Sequence, residues 1–308
     1  MSMVKIAYLL MAHKDPGQIL RLVNSLSDSG DFFIHIDKKS DIQPFREALA
    51  DNTNVFFMDH RIRVNWAGWS MTAVYLELLE MAFKHPNTYD RFVFLTGQDY
   101  PIMTNQQILE EFDSHRNVEY IMAYQISNST IPTDKNKILK RWYFENPFNN
   151  RFLRRCWASF HYRFITRFSD RKTLLVPLGG QLVEPFFGQM LSAFTREAAE
   201  LLIKVYRTDK AYNKVMKQAH ASVEEYWQTV IFNSPLRPNT VQGGAEHEMC
   251  EHFGFAPLHF HTYDDNCSEY THEDYNDIVS SGYMFFRKAV PGKSDKLLDM
   301  IDEMRLIK

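Results

Sequence analysis

The feature that most constrains this chain is an alternation, within its first 126 residues, between short apolar runs and segments of helical period. "VKIAYLLMAH", "DFFIHID", "NVFFMDH", "RFVFLTGQDYPI" and "EYIMAYQI" read as strands. Between them lie "DPGQILRLVNSL", "IQPFREALA", "GWSMTAVYLELLEMAFKH" and a helix from Asn105 to about Phe112. In the first of these helices Ile19, Leu20, Val23 and Leu26 share a face. Repeated strand–helix–strand units need crossover connections, which imply a mainly parallel sheet with both faces covered. The fold class is therefore α/β. Ligands of such sheets sit off the carboxyl ends of the strands. Two strands deliver acids to that rim, Asp37 and Asp99. Asp99 also fits a plain turn-capping role before Pro101.

Neither G-x-G-x-x-G nor G-x-x-x-x-G-K-[ST] occurs, so dehydrogenase and P-loop readings lose their main support. A length of 308 residues suits one large α/β domain or two smaller ones. A net charge of −3 offers no overall electrostatic case for a nucleic-acid partner. Cys156, Cys250 and Cys267 have no framework spacing and fit a reducing compartment. No apolar run is long enough to span a bilayer, and "MSMVKIAYLLMAHKD" lacks a signal-peptide cleavage site. The expectation is a cytoplasmic bacterial protein without a membrane anchor, folded as one compact body over residues 1–308.

The middle of the chain is basic and aromatic. In a helix, Leu153, Trp157, Phe160, Phe164 and Phe168 share a face, with arginines mostly elsewhere. Such a helix, over 151–172, suits peripheral contact with the inner face of an anionic membrane. Most amphipathic helices instead pack their apolar face on their own domain, and that is the expectation here. Further on, "PFFGQMLSAFTREAAELLIKVYR" reads as a strand and then a helix capped by Thr195.

Three stretches carry chemistry. Glu224 and Glu225 stand near the start of a helix in "ASVEEYWQTVIFNSP". Carboxylates there are stabilised by the helix dipole, or one acts as a general base. "GYMFFRKAV" places Arg287 beside Lys288 after an apolar run. A planar fork beside a point charge suits a diphosphate, though a solvated strand end looks the same. The stretch from His247 to Cys267, with Cys250, His252, His259 and His261, matches no closed zinc pattern. It leaves a zinc-dependent hydrolase as the rival class. No D-x-D triplet occurs in the first half, so a diphosphate at the rim falls to the Arg287–Lys288 pair.

"AYLLMAHKD", "FFIHIDKKSD", "VNWAGWSMTAVYLELL", "FLTGQDYPI" and "MFFRK", in that order, resemble the core-2/I-branching β-1,6-N-acetylglucosaminyltransferase family. This is glycosyltransferase family 14, which also holds the peptide O-xylosyltransferases. The match runs over about Val4 to Ile126 and again over Pro185 to Ala289. The resemblance implies a GT-A type fold and inverting transfer from a UDP-sugar without a metal or other cofactor. The implied donor is UDP-N-acetylglucosamine, with UDP-xylose as the alternative, and the implied acceptor a glycan or lipid-linked glycan. Residues 1–126 are then the nucleotide-binding half and 127–308 the acceptor and catalytic half.

Counted back from Thr229, the family's catalytic glutamate falls on Glu224, with Glu225 the neighbouring register; the family's Pro-Asp before it is absent here. Lys288 and Arg287 fall on the diphosphate, Asp37 on the uracil and Trp66 near the nucleotide. Asp99 is expected to shape the sugar pocket. A second family arginine has no evident match, and Arg61 or Arg63 is the substitute at hand. Arg141, Trp142 and Tyr263 fall on the acceptor side. A third reading is a non-catalytic sugar- or membrane-binding relative.

Overall fold

The computed structural model describes residues 3–148, 150–246, 256–261 and 268–307. Strand β1 (Ile6–Ala12), helix α1 (Pro16–Leu26), β2 (Gly30–Ile36), α2 (Gln43–Ala48), β3 (Val55–Phe57), α3 (Trp69–Phe83) and β4 (Arg91–Thr96) follow one another. β1 to β4 run parallel, and β10 (Ala193–Thr195) closes the edge antiparallel to β4. The sheet order is β10-β4-β1-β2-β3.

β1 is buried on both sides because alternate residues enter different cores. Ala7 and Leu9 join the core beneath α3, with Val74, Phe94, Phe194, Leu202 and Trp227. Ile6, Tyr8 and Leu10 join the other, with Leu22, Phe112, Phe285 and Leu298. Residues from both halves of the chain therefore build both cores.

A second sheet stands at the rim. β5 (Asp99–Pro101) follows β4 after a tight turn, and α4 (Asn105–Ser114) begins at a Thr104–Gln107 capping box. Gly97 in that turn packs closely on α1: a Cβ there would stand 2.7 Å from Ile19 Cδ1 and 3.3 Å from Ala12 Cβ. β6 (Tyr124–Gln125), α5 (Pro132–Leu139) and α6 (Arg151–Phe164) come next, then a hairpin of β7 (Val176–Leu178) and β8 (Gln181–Val183). β9 (Phe186–Phe187) pairs with β6, shortening the strand expected over "EYIMAYQI" to two residues. α7 (Arg196–Thr208) starts at the expected Thr195 cap, and α8 (Lys210–Met216) and α9 (Tyr226–Phe232) follow. β11 (His259–Phe260), α10 (Tyr275–Ser280) and β12 (Phe285–Arg287) complete the rim, with β12 between β11 and β5. α11 (Asp295–Ile307), absent from the sequence reading, is tied to α1 by Arg21, which lies 2.6 Å from Asp299 and 2.7 Å from Asp302.

The expectation for α6 is overturned. Phe152, Leu153, Phe160 and Phe164 remain exposed. The helix touches the body along a narrow seam. Trp157 donates to the Glu145 carbonyl at 3.1 Å, and His161 packs on Tyr143. These contacts engage Trp157 and His161 and leave Phe152, Leu153, Phe160 and Phe164 uncovered.

Candidate active site

A cavity of about 560 Å³ opens off the carboxyl ends of β1, β2 and β4. Met11 to Lys14 line it from the end of β1, Asp37 and Lys39 from the end of β2, and Thr96 to Gln98 from the end of β4. Three strands that stop at one level leave a crevice between their loops, which is why the site lies here. Trp66 and Ala67, the turn from His220 to Glu224, and His261, Arg287 and Lys288 close the remaining walls.

The two glutamates part company. Glu224 lies on the cavity wall with 29% of its side chain exposed, its Oε2 4.0 Å from Lys137 Nζ. Burial raises its carboxyl above the ordinary value, with Lys137 working against the rise. Glu225 is wholly buried, with no partner on either carboxylate oxygen among the described residues. Burial, opposed by Lys137, pushes it up to about 8. Burial thus raises both of these adjacent carboxyls, and of the two only Glu224 lies on the cavity wall.

The backbone beneath Glu224 is constrained. Ala67 and Ala221 both adopt positive φ, 58° and 54°. Ala221 N–H donates to the Ala67 carbonyl at 2.9 Å, and Ser222 Oγ lies 2.8 Å from Thr72 Oγ1. Non-glycine residues in the left-handed region cost of order 1–3 kcal/mol and persist where surrounding structure holds them, often at functional sites. Here they fix the turn that carries Glu224 against the start of α3.

At the rim sheet, Asp99 corrects the sequence reading: it does not line the cavity. It is fully buried, and it accepts from Thr96 N–H at 2.6 Å and from Arg287 Nη1 at 3.0 Å. His259 Nε2 lies 3.5 Å from Oδ2, the oxygen that the Thr96 N–H also meets. Burial opposes ionisation of Asp99, but His259, Arg287 and the Thr96 amide outweigh it and hold the carboxyl at about 2. Asp99 thus anchors Arg287, whose side chain, 19% exposed, reaches the cavity beside Lys288.

Asp37 lines the cavity with an occupied carboxylate. Oδ1 accepts from Lys39 N–H at 3.0 Å and Val64 N–H at 3.3 Å, and Oδ2 lies 3.2 Å from Lys39 Nζ. Trp66 stands at the lip, 78% exposed. Arg63 is half-buried and not on the cavity wall, while Arg61 donates to the Ser40 carbonyl at 2.9 Å. Arg141 and Trp142 are also off the wall. Trp142 packs edge-on behind His220, 5.0 Å between ring centres, and Phe144 does the same. Tyr263 lies outside the described residues, as do His247, Cys250, His252 and Cys267. Among the described residues no group of three or more His, Cys, Asp or Glu could hold a metal ion.

The sequence reading missed His13, Lys14, Lys39 and His220. The first three directly follow strands, and the strand-end rule applied to acids would have found them. His220 had no local signal. Burial, with Lys137 adding to it, lowers its imidazole to about 4, so it faces the cavity neutral.

Residues 6–278 match the model of a family described as Core-2/I-Branching enzyme. Xylosyltransferase 2 of Rattus norvegicus is 31% identical over 133 residues, which make up 41% of this chain and 15% of that protein. Xylosyltransferase 1 of Homo sapiens is 28% identical over 134 residues, 41% of this chain and 14% of that protein. The chain thus spans about 15% of the length of the rat relative it matches. A solved 4-diphosphocytidyl-2C-methyl-D-erythritol synthase from Anaerococcus prevotii is 13% identical with a TM-score of 0.32, over 67% of this chain and 75% of that one.

Proposed function

Since the chain belongs to the Core-2/I-branching enzyme family and is a glycosyltransferase, we propose that it moves a sugar from a UDP-sugar to a hydroxyl of a glycan or lipid-linked glycan by single displacement. The observation that carries this reading is one cavity holding both a part-exposed carboxylate, Glu224, and a cation pair, Arg287 and Lys288. Glu224 takes the proton of the acceptor hydroxyl. That oxygen forms a bond to the anomeric carbon as the bond to the diphosphate oxygen breaks on the opposite face, inverting the centre. The electron pair leaves with UDP, and Arg287 and Lys288 offset the charge that develops there. This scheme assigns charge neutralisation to side chains and calls for no metal ion. Asp37 and Trp66 hold the uridine end.

The donor we favour is UDP-N-acetylglucosamine. UDP-xylose is the second reading, supported by the xylosyltransferases among the relatives. Calorimetry with UDP and a panel of UDP-sugars in EDTA tests both, since a ligand that binds the native state raises its apparent stability. Glu224→Gln is expected to lower kcat by about 10²–10⁴-fold, the usual worth of a general base, with UDP affinity unchanged. Full turnover in that variant would remove Glu224 from the mechanism. Absence of uridine-nucleotide binding, with or without Mn²⁺, would remove the donor assignment.

A further inference from the structure

We propose that α6 and the turn that follows it, Thr166–Phe168, form an interfacial helix that docks this protein on an anionic phospholipid surface. Between Arg151 and Ser169 the chain carries five arginines and no aspartate or glutamate, against a net charge of −3 overall. Arg154, Arg155, Arg163 and Arg167 are exposed. None of the four takes part in an ion pair among the described residues, in contrast to Lys140, which meets Asp170 at 3.1 Å. Alongside them the exposed rings of Phe160 and Phe164 meet at 5.3 Å between centres, tilted by 41°, and Phe168 is 74% exposed.

A helix that packs on its own domain hides such a stripe. A surface that satisfies both halves of this pattern must take aromatic rings into an apolar layer and meet guanidinium groups with anions at its boundary. A bilayer with anionic headgroups does both. A second copy of the chain fits worse. A two-fold interface sets the same patch against itself, so it would oppose the arginine cluster to its own image.

The placement bears on the site. Trp66 lines the cavity and also a second groove, whose other wall is Arg154, Arg155, Trp157 and Ala158 of α6. A docked helix therefore brings the cavity mouth beside the lipid surface. That this surface presents a lipid-linked acceptor rests on the glycosyl-transfer reading; the docking itself does not.

The test is co-sedimentation of the full chain with vesicles of phosphatidylcholine alone and with about a third phosphatidylglycerol. Binding is expected only to the anionic vesicles and should fall with salt. Arg163→Ala with Arg167→Ala should weaken it roughly twenty-five-fold, at about fivefold per arginine. Phe160→Ser with Phe164→Ser should weaken it at unchanged thermal stability, because these rings are already in solvent. Failure to bind either vesicle, or equal binding to both, overturns the proposal. So does a dimer in sedimentation velocity that the phenylalanine double variant abolishes while neither protein binds lipid.

Discussion

Glu225→Gln separates the two neighbouring carboxyls by thermodynamics. Glu225 is fully buried with both oxygens unpartnered among the described residues, and its carboxyl titrates near 8 where an ordinary glutamate titrates near 4.5. The folded state therefore keeps a proton that the unfolded chain releases throughout that interval. Stability from this group is fully present below about pH 4.5, declines as pH rises and is lost on passing through about 8. At about 1.4 kcal/mol per unit, this one group withdraws roughly 3 kcal/mol between pH 5 and pH 8. Glutamine cannot ionise. Whatever its amide costs in the buried site is independent of pH and cancels from the slope. Urea denaturation of both proteins at unit pH steps from 5 to 8 should show a gap in stability that moves in favour of the variant by about 3 kcal/mol. Parallel curves would refute the reasoning, because they would mean that Glu225 is ionised at neutral pH in the folded protein. Transfer activity should survive Glu225→Gln, in contrast to Glu224→Gln.

Two further perturbations probe the rim. Asp99→Asn leaves Arg287 without its buried counter-charge, so it should cost about 3–5 kcal/mol in thermal or urea unfolding and lower kcat by loosening Arg287. Because the Asp99 carboxyl is held at about 2 against an ordinary 3.8, about 2.5 kcal/mol of the wild-type advantage, at about 1.4 kcal/mol per unit, should be present above about pH 4 and be lost as pH falls through 2; an advantage that does not move with pH would show a different origin. Trp66→Ala removes a ring that is 78% exposed, so stability should change by no more than about 0.5 kcal/mol while KM rises in steady-state kinetics. A large loss of stability with unchanged KM would make Trp66 structural.

The strands and helices of the first half were legible because each is specified by its own neighbours in sequence. Apolar runs marked β1, β2 and β4, and a 3.6-residue period marked α1, while α3 was marked by its length of apolar residues and is buried on most sides. The rim position of the site followed from strand direction alone. Asp37, Arg287, Lys288 and Glu224 do come together on one cavity. The misses share a cause. Asp99 read as a pocket residue because its place after β4 is right, yet its side chain turns inward to Arg287, 188 residues away. Arg63 and Trp142 sit near the site in sequence order but are off the cavity wall. Local periodicity identified α6 and could not say whether a partner surface existed to cover it.

What the sequence determined by itself was the order of elements in the first half, the end of the sheet where the cavity opens and several of the residue types that line it. The tertiary structure alone decided which of two adjacent glutamates faces the cavity. Glu224 and Glu225 are chemically identical and one residue apart. Their difference arises from the Ala67–Ala221 hydrogen bond that sets the turn and from the complete burial of Glu225. Ionisation depends on solvent access and on charges close in space, and neither is a property of a residue's place in the chain.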